Sequence, residues 1–152
     1  MKAKLAPIYF DPGRDEGFDT QLARLRELLA DEAEFLEPVA LGRHLPREAD
    51  AAVFPQMLGE AYRRVGDFRR IDVPIFVVTS EFGTLNMWDW EIVAYLEGEG
   101  VTTIAPYSLA QTRMLCRAAA ARRQLRGSKF LVFQDNPGEG FQAPIFKRFY
   151  WW

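Results

Sequence analysis

At 152 residues, with 49% hydrophobic and 26% charged side chains, the chain has the length and composition of one soluble globular domain with a substantial core. Its formal charge of −2 argues against a general nucleic-acid binder, which needs a net basic footprint to displace counterions. A single cysteine, Cys116, rules out an intramolecular disulfide, and the N-terminal MKAKLAPIYFDPG has too short an apolar core for a signal peptide; a cytoplasmic protein without a membrane partner is expected.

Apolar runs and amphipathic segments alternate along the chain. Residues 5–10 read as a first strand, followed by the turn DPGRDEG. Phe18, Leu22, Leu25 and Leu29 then share one face of a helix. Residues 34–41 read as a second strand and the polar, Pro-containing linker 42–50 as a loop or a single turn. A third strand over 51–55 leads to a helical stripe of Leu58, Ala61, Tyr62 and Val65. The fourth strand, 74–78, is apolar and stops abruptly at Thr79, Ser80 and Glu81.

A helix over about 85–97 places Leu85, Trp88, Ile92, Tyr95 and Leu96 on one side, with Gly98 and Gly100 as its stop signals. On the same wheel Trp90 points nearly opposite Trp88, as an exposed aromatic suited to a contact with another subunit or ligand. Residues 101–105 give a fifth strand, and Leu109, Cys116, Ala119 and Ala120 give the next helix a small-residue face that can lie close to a sheet. Arg113, Arg117, Arg122, Arg123, Arg126 and Lys129 cluster towards the end of that helix, where cations complement its carbonyl end. A sixth strand over 129–133, the turn DNPGEG and a last helix over 143–152 complete the pattern.

Near-continuous apolar strands separated by helices of about 10–18 residues predict a parallel sheet covered on both faces. The expected fold is a single doubly wound α/β domain over 1–152, a flavodoxin-like or Rossmann-like three-layer sandwich with strand order 2-1-3-4-5 and the sixth strand at an edge. Phe146, Phe149, Tyr150, Trp151 and Trp152 crowd the C-terminus without a polar tail, so the last helix either packs back on the sheet or meets a partner. Trp151 and Trp152 are, with Trp90, the candidate interface residues, and the chain is expected to be one domain of a longer polypeptide.

Ligands bind outside the carboxyl ends of strands in such sheets, and three of these ends present acids: Asp11, Glu81 and Asp135. They can hold a hard cation or a polyol, or they can cap the following helices. Capping is the simpler role for Asp11 and Asp135; the Thr79 and Ser80 hydroxyls beside Glu81 favour a ligand there. A nucleotide site is not expected: neither GxGxxG after a strand nor a Walker lysine occurs, and both Gly-rich turns carry carboxylates that repel phosphate. The only histidine, His44, sits in the polar linker without a metal-ligating or nucleophilic partner.

Taken together, Ala51-Ala-Val-Phe-Pro-Gln-Met57, Pro74-Ile-Phe-Val-Val-Thr-Ser-Glu-Phe82, Asn86-Met-Trp-Asp-Trp-Glu91 and Phe130-Leu-Val-Phe-Gln-Asp-Asn-Pro-Gly-Glu139 resemble the N-terminal domain of the L-fucose/L-arabinose isomerase-like superfamily. Their order and spacing over about residues 50–152 carry the resemblance. It implies an aldose–ketose isomerase whose metal ligands and catalytic glutamates belong to later domains, with Mn²⁺ or another divalent cation in the full-length protein and no cofactor or catalytic residue in this chain. It further implies a homo-oligomer in which this domain packs on a neighbouring subunit and lends polar groups to that subunit's monosaccharide site. Glu81 and Phe82 stand at the motif used for that contact, with Ser80, Asp11 and Asp135 as further substrate-binding candidates. Glu81 replaces the amide of arabinose isomerases, so this position accepts hydrogen bonds only. The alternative is a non-catalytic flavodoxin-like module for sugar binding or subunit assembly.

Overall fold

The computed structural model describes residues 1–11, 13–57, 59–79, 87–126 and 128–129, with the backbone alone at 87–89. The strands are β1 (Ala3–Tyr9), β2 (Ala33–Phe35), β3 (Val39–Ala40), β4 (Ala51–Phe54), β5 (Ile75–Val77) and β6 (Thr103–Ile104). The helices are α1 (Glu16–Leu28), the single turn α2 (Val65–Phe68), α3 (Met87–Gly98) and α4 (Leu109–Arg126), with a 3₁₀ segment at Gly59–Arg63. The sheet runs β2-β1-β4-β5-β6, β3 adds to β1, and every pairing is parallel. Counting β2 and β3 as one broken strand, this is the expected order 2-1-3-4-5 of a doubly wound flavodoxin-like domain.

The two-residue period of the strands sorts the core into two layers. Ala3 and Leu5 of β1, Ala51 and Val53 of β4, and Phe76 of β5 face Leu25 and Leu29 of the α1 region and Cys116, Ala119 and Ala120 of α4. Their neighbours Ile8, Ala52, Phe54, Ile75 and Val77 face the opposite layer of Ala61, Phe68, Ile92, Val93 and Leu96. Phe54 and Phe68 stack there at 5.1 Å. α1 and α4 thus share one face of the sheet, while the 3₁₀ segment, α2 and α3 cover the other.

Several expected elements differ in form. The second strand breaks after Leu36, whose N–H still donates to Leu5 O at 2.8 Å; Pro7 of β1 and Pro38 both lack an N–H, and pairing resumes at Val39, with Leu41 N–H donating to Tyr9 O at 2.8 Å. The stripe from Leu58 to Val65 forms a 3₁₀ segment and a one-turn helix, because Gly59 and Gly66 lower the helical preference of the stretch; Leu58 lies outside the described residues. The buried face of α3 is Ile92, Val93 and Leu96, whereas Tyr95 sits at the margin with its ring 4.8 Å from Tyr62. The fifth strand is only Thr103–Ile104. Of the sixth strand only Lys129 is described, outside any strand, and the last helix lies wholly outside the described residues.

The arginines of α4 serve tertiary contacts more than the helix end. Arg113 donates to Leu28 O at 3.2 Å and Arg117 to Glu32 at 3.2 Å, while Arg123 donates to Asp50 at 2.6 Å and to Lys2 O at 2.9 Å. The helix runs along one face of the sheet, and its last turns stand at the amino-terminal ends of β1 and β4, so Arg123 reaches Asp50 and Lys2 O. No helix among the described residues is long and apolar enough to cross a membrane.

Candidate functional site

In a sheet of this order the connections from β1 and β4 leave in opposite directions, opening a crevice at their carboxyl ends. Residues 11 and 13–15 follow β1 and Gln56 follows β4. Gln56 Nε2 reaches across to Asp15 Oδ2 at 3.5 Å. The other Asp15 oxygen accepts the Phe18 N–H at 2.7 Å and caps α1. Arg14 pairs with Asp19 at 2.6 Å, and its guanidinium lies 5.9 Å from the centre of the Phe18 ring. The helix N-terminus is therefore already met by a carboxylate of the chain itself, where a flavodoxin-like nucleotide would place its phosphate.

Asp11 lies at this rim, exposed in the turn after β1. The cap of α1 is Asp15 and not Asp11, which leaves the Asp11 carboxylate open to solvent. Thr79, half-buried, follows β5 at the same edge. Ser80, Glu81, Phe82, Asp135, Trp151 and Trp152 lie outside the described residues, so the convergence of Asp11, Glu81 and Asp135 stays an expectation. Among the described residues no group of three or more His, Cys, Asp or Glu side chains is placed to hold a metal ion.

Trp90 is exposed, as its position on the wheel predicts. It sits in the first turn of α3, and its ring lies 5.4 Å from that of Tyr107 at an interplanar angle of 30°. Tyr107 occupies the loop from β6 to α4, where its N–H donates to Gln111 Oε1 at 2.7 Å. Both residues belong to the carboxyl side of the sheet, since α3 follows β5 and this loop follows β6. The rim therefore combines an exposed aromatic pair with the hydroxyl of Thr79, the amide of Gln56 and the carboxylates of Asp11 and Asp15.

Sequence reasoning missed Asp15, Gln56 and Tyr107. Asp15 carried a readable signal, an acid just before the first apolar residue of a helical stripe. Gln56 and Tyr107 carried none, because their roles depend on which strand ends the topology brings to one edge.

Order, parallel pairing and two-sided helical cover define a flavodoxin-like, Rossmann-like α/β domain. No family model matches the chain, no curated protein matches it, and no solved structure matches it.

Proposed function

We propose that this domain positions a monosaccharide for an aldose–ketose isomerase-like protein, with the proton transfers and the divalent cation supplied by downstream domains or a neighbouring subunit. The observation that carries the reading is the exposed Trp90–Tyr107 pair at the carboxyl rim. Aromatic faces stack on the C–H faces of pyranose rings, while a hydroxyl, an amide and carboxylates at the same sheet edge can hydrogen-bond the ring hydroxyls. Holding the hydroxyls in register with a remote base and metal is a positioning task, and this rim has the groups for it. Glu81 and Phe82, which follow β5 in sequence, are proposed to extend the same contact.

The test is an assay of the full-length protein with Mn²⁺ and a panel of aldoses. Ketose formation is expected, with Trp90→Ala raising KM about tenfold while kcat changes little, as for loss of one stacking contact. No ketose from any aldose overturns the isomerase assignment.

A second reading, a subunit-assembly module, is favoured by the same exposed rings, because Trp and Tyr anchor protein interfaces. It predicts that Trp90→Ala lowers the oligomeric state in analytical ultracentrifugation and leaves sugar-dependent properties unchanged.

A further inference from the structure

A second concavity lies away from the carboxyl rim. A cavity of about 460 Å³ opens between the linker 42–50 and the segment that runs from α2 into β5. Its wall is held by a fixed network. Arg64 Nη2 donates to Leu41 O at 2.8 Å, and Arg64 and Arg70 each donate to one oxygen of Asp67. Gly42 passes so close to this network, at φ +91°, that a Cβ there would stand 3.0 Å from Arg64 Nη2 and 3.2 Å from Asp67 Oδ1. Only glycine adopts that backbone and that approach without strain.

The consequence is a cavity with an excess of cations. Arg43 and Arg47 line it from the linker, Arg70 from the opposite wall and Arg126 from the end of α4. The Asp67 carboxylate is already engaged by Arg64 and Arg70, while Arg43, Arg47 and Arg126 form no ion pair among the described residues. Asp72 is the remaining carboxylate of the lining. Ile8, Leu41, Ile71 and Val73 supply an apolar floor, and the volume falls in the range of small-molecule sites.

We propose that this cavity binds a small organic phosphomonoester, its dianionic head held by the forks of Arg43, Arg47 and Arg126 and its body on the apolar floor. Guanidinium forks match phosphoryl oxygens in a bidentate manner, and a dianion answers the cation excess that the engaged Asp67 leaves behind. The site shares no residue with the carboxyl rim and does not rest on the sugar-positioning reading.

The test is calorimetric titration of the full chain with phenyl phosphate, with inorganic phosphate as competitor and phenyl β-glucoside as the neutral comparison. Saturable binding of phenyl phosphate is expected, displaced by inorganic phosphate and weakened at high salt. Arg47→Ala and Arg126→Ala should each weaken it about tenfold, while Arg24→Ala, an exposed arginine of α1 outside the cavity, should not change it. These arginines are exposed, so their removal leaves the fold intact, which matching thermal melts would verify. Absence of saturable binding, equal binding of the neutral glucoside, or unchanged affinity in the two cavity variants would each overturn the proposal. Co-sedimentation with phosphatidate vesicles without binding of phenyl phosphate would overturn it in favour of a lipid headgroup.

Discussion

Asp50 shows how much one carboxylate can tie together. It is buried just before β4, accepts the Lys4 N–H at 2.7 Å and receives Arg123 Nη1 at 2.6 Å. It therefore joins the start of β1, the linker and the last turns of α4. Asp50→Ala leaves a backbone donor and a guanidinium without their acceptor, and a loss of about 3 kcal/mol in urea unfolding is expected. Asp50→Asn keeps an acceptor and should lose less. Asp67 offers a pH-dependent counterpart. The hydrogen bond from Arg64 and the charges of Arg64 and Arg70 hold its carboxyl below the ordinary value of 3.8, against the opposing effect of burial. A lowered folded-state value means that the stabilisation is fully present above the unfolded value and lost as pH falls through the folded one. Wild type should accordingly exceed Asp67→Asn in stability at pH 6, and the difference should fade below about pH 3.8. A gap that stays constant down to pH 2 would contradict this account.

At the scale of elements, α4 illustrates what small residues permit. Cys116, Ala119 and Ala120 are buried against Ala3, Leu5 and Val53, so the helix packs closely on the sheet. Ala120→Leu should overpack this layer and lower stability by about 1–3 kcal/mol, measured by chemical denaturation. This face was legible in the sequence because its spacing is helical and its residues are small. The face of α1 was legible for the same reason, and Phe18, Leu22, Leu25 and Leu29 are all buried. The apolar strands at 51–54 and 75–77 also announced themselves, since two-sided burial leaves no polar alternation to confuse the pattern. Other elements were misread where local chemistry overrode hydrophobic pattern: Pro7 and Pro38 together split a strand, and Gly59 with Gly66 split a helix. The site was less legible than the fold. Asp11 and Trp90 were readable as a strand-end acid and an off-stripe aromatic, but Gln56 and Tyr107 acquire meaning only once β4 and β6 have taken their places. The arginine-rich cavity was invisible for a related reason, because its residues come from the linker, the α2–β5 segment and α4.

For the molecule as a whole, Cys116 is a built-in reporter of the closed state. Burial, reinforced by the charge of Glu32, pushes its thiol up to about 11. At pH 8 the thiolate fraction is then about a thousandth, and the sulfur is out of reach of solvent. Labelling by a thiol reagent should be slow in the native protein and become fast at the denaturant concentration where far-UV circular dichroism is lost. Fast labelling in native buffer would mean that α4 leaves the sheet without global unfolding. The break at Pro38 has its own consequence at this scale. An open parallel sheet risks recruiting a strand from another copy along its free margin, which begins fibrous aggregation. At the β2–β3 margin the chain offers three paired residues, a three-residue break and two more. An incoming strand would meet no unbroken row of donors and acceptors, so the break in this strand also guards the molecule against association through that margin.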